Sequence, residues 1–152
     1  MTASVRLATE ADIPRILELY QELAITTSQA EQGRIPSPDE CRRVFAEIRN
    51  QPGHELLVAE EEGDVIGTLV LLIVPNLSHG VLPWAIVENM IVDGRYQRRG
   101  VGRLLIDYAI ARARDAGCYK ITLSSDKRRP DAHRFYRSTG FEASALGFRR
   151  YF

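Results

Sequence analysis

The apolar run Met90-Ile91-Val92 leads through Asp93 into a basic turn with glycines at positions 100 and 102, and the turn opens directly into a helix. Few folds accept that order of strand, glycine turn and helix. Glycine lacks the Cβ that would hold the backbone away from an anion, so successive N–H groups at the helix start can converge on one cavity. Gln97, Arg98, Arg99 and Arg103 surround these glycines, and three of the four bring positive charge. Val101, Leu104, Leu105 and Tyr108 then fall at i, i+3, i+4 and i+7, the spacing of one buried helix face. The segment is suited to holding a pyrophosphate on a helix N-terminus.

The rest of the chain supplies strands and helices around that segment. Residues 5–8 read as a strand, and Thr9 as the cap of a helix whose Ile13, Ile16, Leu17 and Tyr20 face a core. Pro14 is tolerated there because it lies in the first turn. Ser37-Pro38 starts a second helix with Val44, Phe45 and Ile48 on its apolar face, ended by Pro52-Gly53. Residues 55–60 and 65–74 read as a hairpin, and residues 84–92 as the strand that enters the glycine turn. Gly117 closes the long helix, and residues 119–124 form the next strand. Residues 131–139 form a short helix ended by Gly140, and residues 141–145 and 148–152 read as two closing strands. Strands joined first by a hairpin and later through a helix predict an α/β domain, a mixed sheet of about six to seven strands flanked by helices.

A length of 152 residues suits one domain, residues 1–152. No apolar run approaches the roughly 20 residues of a membrane helix, and the opening residues lack a secretory layout, so a cytoplasmic protein without a membrane partner is expected. Cys41 and Cys118 show neither a paired motif nor a framework, and His54, His79 and His133 are dispersed; no metal site is expected. Net charge is zero but unevenly placed. From Asp93 onward there are 14 Lys/Arg and 6 Asp/Glu, whereas the first 92 residues carry 6 and 14. The basic half would favour an anionic ligand. Its charges do not form the long stripe with interleaved aromatics expected of a nucleic-acid binder, so none is predicted.

The spacing Gln97-x-x-Gly100-x-Gly102 resembles motif A of the GNAT superfamily of N-acetyltransferases, whose turn receives the pyrophosphate of acetyl-CoA. Phe135-Tyr136-x-x-x-Gly140-Phe141 resembles the same superfamily's motif B, and residues 5–12 are similar to its opening strand and helix. The resemblance covers nearly the whole chain in the family's order. It implies the GNAT fold, in which two strands splay apart to hold the cofactor's pantetheine arm. By the same resemblance, Met90, Ile91 and Val92 would offer backbone hydrogen bonds to acetyl-CoA, and Gln97, Arg98, Arg99, Gly100, Val101, Gly102 and Arg103 would cradle its pyrophosphate.

Acetyl transfer from a thioester to an amine needs a neutral amine and a proton for the departing thiolate. Tyr136 is the candidate acid, because a phenol with a pKa of about 10 is close to an alkyl thiol; the alternative is that it only packs beneath the cofactor. Glu88 is the candidate base, a carboxylate in an apolar strand where burial without a partner is costly. The alternative places it on the outer face of the sheet, and strict alternation would put Asn89 opposite it. No cysteine or serine has a nucleophile setting, so direct attack in a ternary complex is expected.

Local similarity to glucosamine-6-phosphate and aminoalkylphosphonate N-acetyltransferases suggests a small amine bearing an anionic group, with Arg128 or Arg129 to hold it. Many family members place an asparagine where this chain has Arg129, seven residues before the tyrosine. Other readings are a peptide N-acetyltransferase and a noncatalytic acetyl-CoA-binding regulator. A homodimer, common in the family, is compatible with the apolar closing strands.

Overall fold

A computed structural model describes residues 2–23 and 28–152. In chain order its elements are β1 (Ser4–Leu7), α1 (Ile13–Leu23), α2 (Pro38–Asn50), β2 (His54–Glu61), β3 (Asp64–Val74), the one-turn α3 (Ser78–Val81), β4 (Trp84–Val92), α4 (Val101–Asp115), β5 (Ile121–Leu123) and α5 (Pro130–Ser138). The five strands lie in sequence order across one sheet, antiparallel from β1 to β4 and parallel between β4 and β5. The parallel step follows from the helical crossover through α4, since only a long connection can return a strand in the same direction.

Each face of the sheet is buried under helices. On one side Leu57, Ala59, Leu69, Leu71, Ala85 and Val87 pack against Val101, Leu105, Ile106 and Ala109 of α4. On the other, Leu56, Val58, Val70 and Ile91 pack against Ile16 and Leu19 of α1 and Phe45 of α2. The near-continuous apolar run of β3 reflects this double burial. Gly67 lets α4 approach closely: a Cβ there would lie 3.2 Å from both the Ile91 carbonyl oxygen and the Leu105 side chain.

Helix ends follow their sequence signals. Ser37 accepts from the Glu40 N–H at 3.1 Å while Glu40 accepts from the Ser37 N–H at 2.7 Å, a reciprocal cap for α2. At the end of α4, Gly117 adopts φ +78° and the Cys118 N–H reaches back to the Ala113 carbonyl at 3.0 Å. Cys118 is thereby packed against the core beside Ala113.

Two expectations are corrected. The sheet has five strands among the described residues, rather than six to seven, because residues 141–152 form no strand. Their alternation reads as strand, yet Leu146 and Phe148 are 84% and 90% exposed, so the tail has no sheet edge against which to bury them. Its end is instead held by the Ala30 N–H, which donates to the Phe152 carbonyl at 2.8 Å. Thr9 caps a 3-10 turn (Glu10–Asp12) that leads into α1, with the Asp12 carboxylate accepting from the Thr9 N–H at 2.7 Å.

The acidic and basic halves meet in ion pairs. Glu55 pairs with Arg112 and Glu61 with Arg99, while Arg6 pairs with Asp12 and Glu60 inside the acidic half. The deepest junction is Asp93, only 4% exposed, which accepts from Arg15 of α1 and, at 2.8 Å, from both the backbone N–H and the guanidinium of Arg95. Its own N–H donates to the Ile66 carbonyl at 2.9 Å, so one residue joins α1, β3 and the end of β4. The Arg95 hydrogen bonds hold the Asp93 carboxyl well below the usual carboxylate range, and the Arg6 hydrogen bond lowers that of Asp12. Both groups titrate lower in the folded chain, so their stabilisation is complete above the unfolded value of about 4 and is lost as pH falls toward the folded values. The thermal midpoint should therefore fall below pH ~4, and Asp93→Asn should cost about 2 kcal/mol at neutral pH and flatten that acid limb. Unfolding curves between pH 2 and 7 measure both.

Candidate active site

The pairing of β4 with β5 stops early. Rungs join Ala85 to Ile121, Ile86 to Thr122 and Val87 to Leu123, and none follows. Residues 88–92 of β4 continue with an unpaired edge on that side, and the chain beyond Leu123 departs toward α5. The expected splayed strand pair is present, and it exposes strand N–H and C=O groups to whatever enters.

A bulge sits at the mouth of this opening. Val70 pairs with Glu88 and Thr68 with Ile91, so Asn89 and Met90 together oppose Leu69. Asn89 takes up the extra residue at φ +49°, a left-handed conformation that asparagine tolerates better than a branched side chain. The extra residue inverts the strand's phase. Before it, Val87 faces α4 and Glu88 faces the α1 side; after it, Met90 and Val92 face α4 and Ile91 faces the α1 side. Strict alternation across Glu88 and Asn89 is thus broken. Burial pushes the Tyr20 phenol on α1 up, and Asn89 and Thr68 act on it in the opposite direction. An asparagine inside a strand of branched apolar residues was the available sign of this irregularity.

The glycine turn is shaped for an anion. Arg98 and Gly100 both adopt left-handed backbone, φ +61° and +85°. Leu104 N–H to Gly100 carbonyl, at 3.0 Å, is the first bond of the helix. The N–H groups of Val101, Gly102 and Arg103 therefore have no partner one turn back, and among the described residues no side chain caps the helix. No acidic residue lies in that first turn. Free donors, the helix dipole and nearby arginines act together there. The Gln97 amide donates to the Val92 carbonyl at 3.2 Å, fixing the turn to the end of β4. Arg99 lies over the Tyr96 ring at 5.1 Å, and Arg103 donates to the Ser138 carbonyl at 3.2 Å. The two glycines differ in use. Gly100 supplies the turn, whereas a Cβ on Gly102 would meet Phe135 at 3.2 Å and Met90 at 3.3 Å, so Gly102 makes room for packing between α4 and α5.

Tyr136 lies on the α4 side of the opening, its hydroxyl 3.9 Å from the Met90 sulfur. Burial pushes its phenol up, with Arg129 pulling modestly the other way. The Tyr-x-x-x-Gly-Phe spacing has a direct structural cause. Gly140 is left-handed at φ +96°, its N–H donates to Arg137 at 3.1 Å, and the Phe141 N–H donates to the Tyr136 carbonyl at 3.1 Å. This Schellman turn brings the Phe141 ring edge-on to Tyr136, with centroids 6.1 Å apart.

Glu88 is exposed, so the cost of burying a carboxylate does not apply to it; among the described residues no salt bridge holds it. It and Tyr136 approach the opening from opposite sheet faces. Arg128 is engaged with Asp126 at 2.8 and 2.9 Å, and Arg149 reaches the same carboxylate at 3.1 Å. These arginine bonds hold the Asp126 carboxyl far below its ordinary range. The cluster could not be read from sequence, because Arg149 lies 23 residues away. Among the described residues no three His, Cys, Asp or Glu side chains group as metal ligands, and no helix is long and apolar enough to cross a membrane. Gly140→Ala should cost about 1 kcal/mol through its left-handed backbone and should disturb Tyr136 more than the fold. Thermal unfolding together with near-ultraviolet tyrosine spectra tests this.

Comparison with known proteins agrees with the geometry. The acetyltransferase (GNAT) family profile matches residues 15–141. The chain is 30% identical over 144 residues to a glucosamine 6-phosphate N-acetyltransferase of Trypanosoma brucei brucei, covering 91% of this chain and 88% of that one. It is 30% identical over 105 residues to an aminoalkylphosphonate N-acetyltransferase of Salmonella typhimurium, covering 68% and 67%. The structure of a putative acetyltransferase from Agrobacterium tumefaciens superimposes with a TM-score of 0.86 at 37% identity, covering 97% of this chain and 98% of the other. An unpaired strand edge, an uncapped basic helix start and the tyrosine beside them, found together over this span of similarity, identify the chain as a member of the GNAT family of acetyltransferases and as an acyltransferase enzyme.

Proposed function

We propose that this enzyme transfers the acetyl group of acetyl-CoA to the primary amine of a small acceptor carrying an anionic group, by direct attack with both substrates bound. The observation that carries the reading is the open edge of β4 ending at the uncapped start of α4, with Tyr136 alongside. The free N–H groups of Val101, Gly102 and Arg103, with Arg98 and Arg99, hold the pyrophosphate. The backbone of Met90, Ile91 and Val92 receives the pantetheine arm and the thioester carbonyl.

Tyr136 gives its proton to the sulfur as the carbon–sulfur bond breaks and the nitrogen–carbon bond forms. Its burial keeps the phenol protonated through the neutral range, the state an acid needs. Glu88, exposed on the opposite face, takes the amine proton through water. An acyl-enzyme is disfavoured by the thiols: burial pushes Cys118 up, away from the reactive thiolate, and it sits at the far end of α4.

Arg129, whose charge acts on the Tyr136 phenol, is our candidate for the acceptor's anionic group. Arg128 is less suited, since Asp126 occupies its guanidinium. The Trypanosoma relative is named for a phosphorylated amino sugar, which is of this class.

Thiol release from acetyl-CoA across amino-sugar phosphates, aminoalkylphosphonates, amino acids, polyamines and peptides tests the reading. Anionic small amines should be turned over best. Tyr136→Phe should lower kcat about 100-fold or more with coenzyme A binding retained, and Arg129→Ala should raise KM for the amine alone. Preferred turnover of peptides would overturn the small-acceptor reading. Glu88→Gln should likewise lower turnover with coenzyme A binding intact; unchanged turnover would remove it as the base.

A further inference from the structure

Two hydroxyls beside the opening lack an adequate partner. Among the described residues Tyr136 has only the Met90 thioether, a weak acceptor at 3.9 Å. Ser125 has none among the described residues: its Oγ is buried, yet no protein donor or acceptor there reaches it. Native proteins rarely leave such a group unsatisfied, because it has lost its water without gaining a replacement.

Its position indicates what it awaits. Ser125 lies two residues past Leu123, the last rung of β5. Ile121 and Leu123 pack on the α4 side of the sheet, and the two-residue period of extended chain carries Ser125 to that same side. Ser124 faces away, its Oγ 3.6 Å from where a Cβ on Gly147 would stand. Met90, Phe135, Tyr136 and Phe141 pack on the side that Ser125 shares. Extending the register places Ser125 level with Asn89, at the bulge, where the two strands have already parted.

We propose that the Ser125 hydroxyl donates a hydrogen bond to the sulfur of bound coenzyme A, a second contact beside Tyr136 that helps hold the departing thiolate. The inference rests on the acetyl-CoA reading above. Ser125 transfers no proton overall. It stabilises the charge that develops on sulfur as the Tyr136 proton is transferred, and in the unliganded protein it is a buried group without a protein partner among the described residues, which opposes folding.

The test compares coenzyme A with desulfo-coenzyme A, which lacks only the sulfur, by calorimetry on the wild type and Ser125→Ala. The wild type should bind coenzyme A about 3- to 10-fold more tightly than the desulfo compound, the range for one or two neutral hydrogen bonds. Ser125→Ala should lose most of that preference and leave desulfo-coenzyme A binding unchanged. Without ligand, the variant should melt at a higher temperature, since it removes an unsatisfied buried group. Equal weakening for both compounds, unchanged preference, or a lower melting temperature would each overturn the proposal. Failure of the wild type to bind coenzyme A at all would overturn the acetyl-CoA reading itself, and this inference with it.

Discussion

The parting of β4 from β5 is the constraint on which the rest of the molecule turns. A sheet is stable when its backbone groups are paired, yet β4 ends its pairing with β5 at Val87 and leaves the following residues open on that side. That cost is tolerated because both faces around the gap are secured elsewhere. The α4 face is packed from Leu57 to Ala109, the α1 face from Val58 to Phe45, and β3 pairs with nearly the whole length of β4. An opening held by rigid neighbours can accept a strand-like ligand without first having to be ordered.

Charge is arranged on the same plan. The basic half of the chain supplies the glycine turn and its arginines, and the acidic half supplies Glu61 and Glu55, which pair with Arg99 and Arg112. Asp93 is the pivot, since it follows β4 and, buried itself, binds both Arg15 and Arg95. Arg98 and Arg103 flank a helix start whose first turn carries no acidic residue, so their charge adds to the positive end of the α4 dipole.

Much of this was legible in the sequence, and the exceptions have physical causes. The glycine turn, the capped helices and the Tyr-x-x-x-Gly-Phe block were readable because each is a local signal whose geometry is set within a few residues. Residues 88–92 were readable as a strand but not in phase, since a bulge alters orientation without altering composition. The closing residues alternate like strands, yet a strand also needs a neighbour, which alternation cannot reveal. Asp126 and Ser125 were overlooked for a related reason. Their roles depend on Arg149 and on the missing β5 rung, contacts that spacing along the chain does not record.

The bulge at Asn89 also divides one strand into two separately adjustable surfaces. Because the extra residue shifts the phase, the positions before it and those after it present opposite parities to the same side of the sheet. Side chains near Glu88 can therefore vary while the segment from Met90 to Val92 keeps its register against α4. On the function proposed above, one inserted residue would separate the surface that meets the amine from the one that meets the donor.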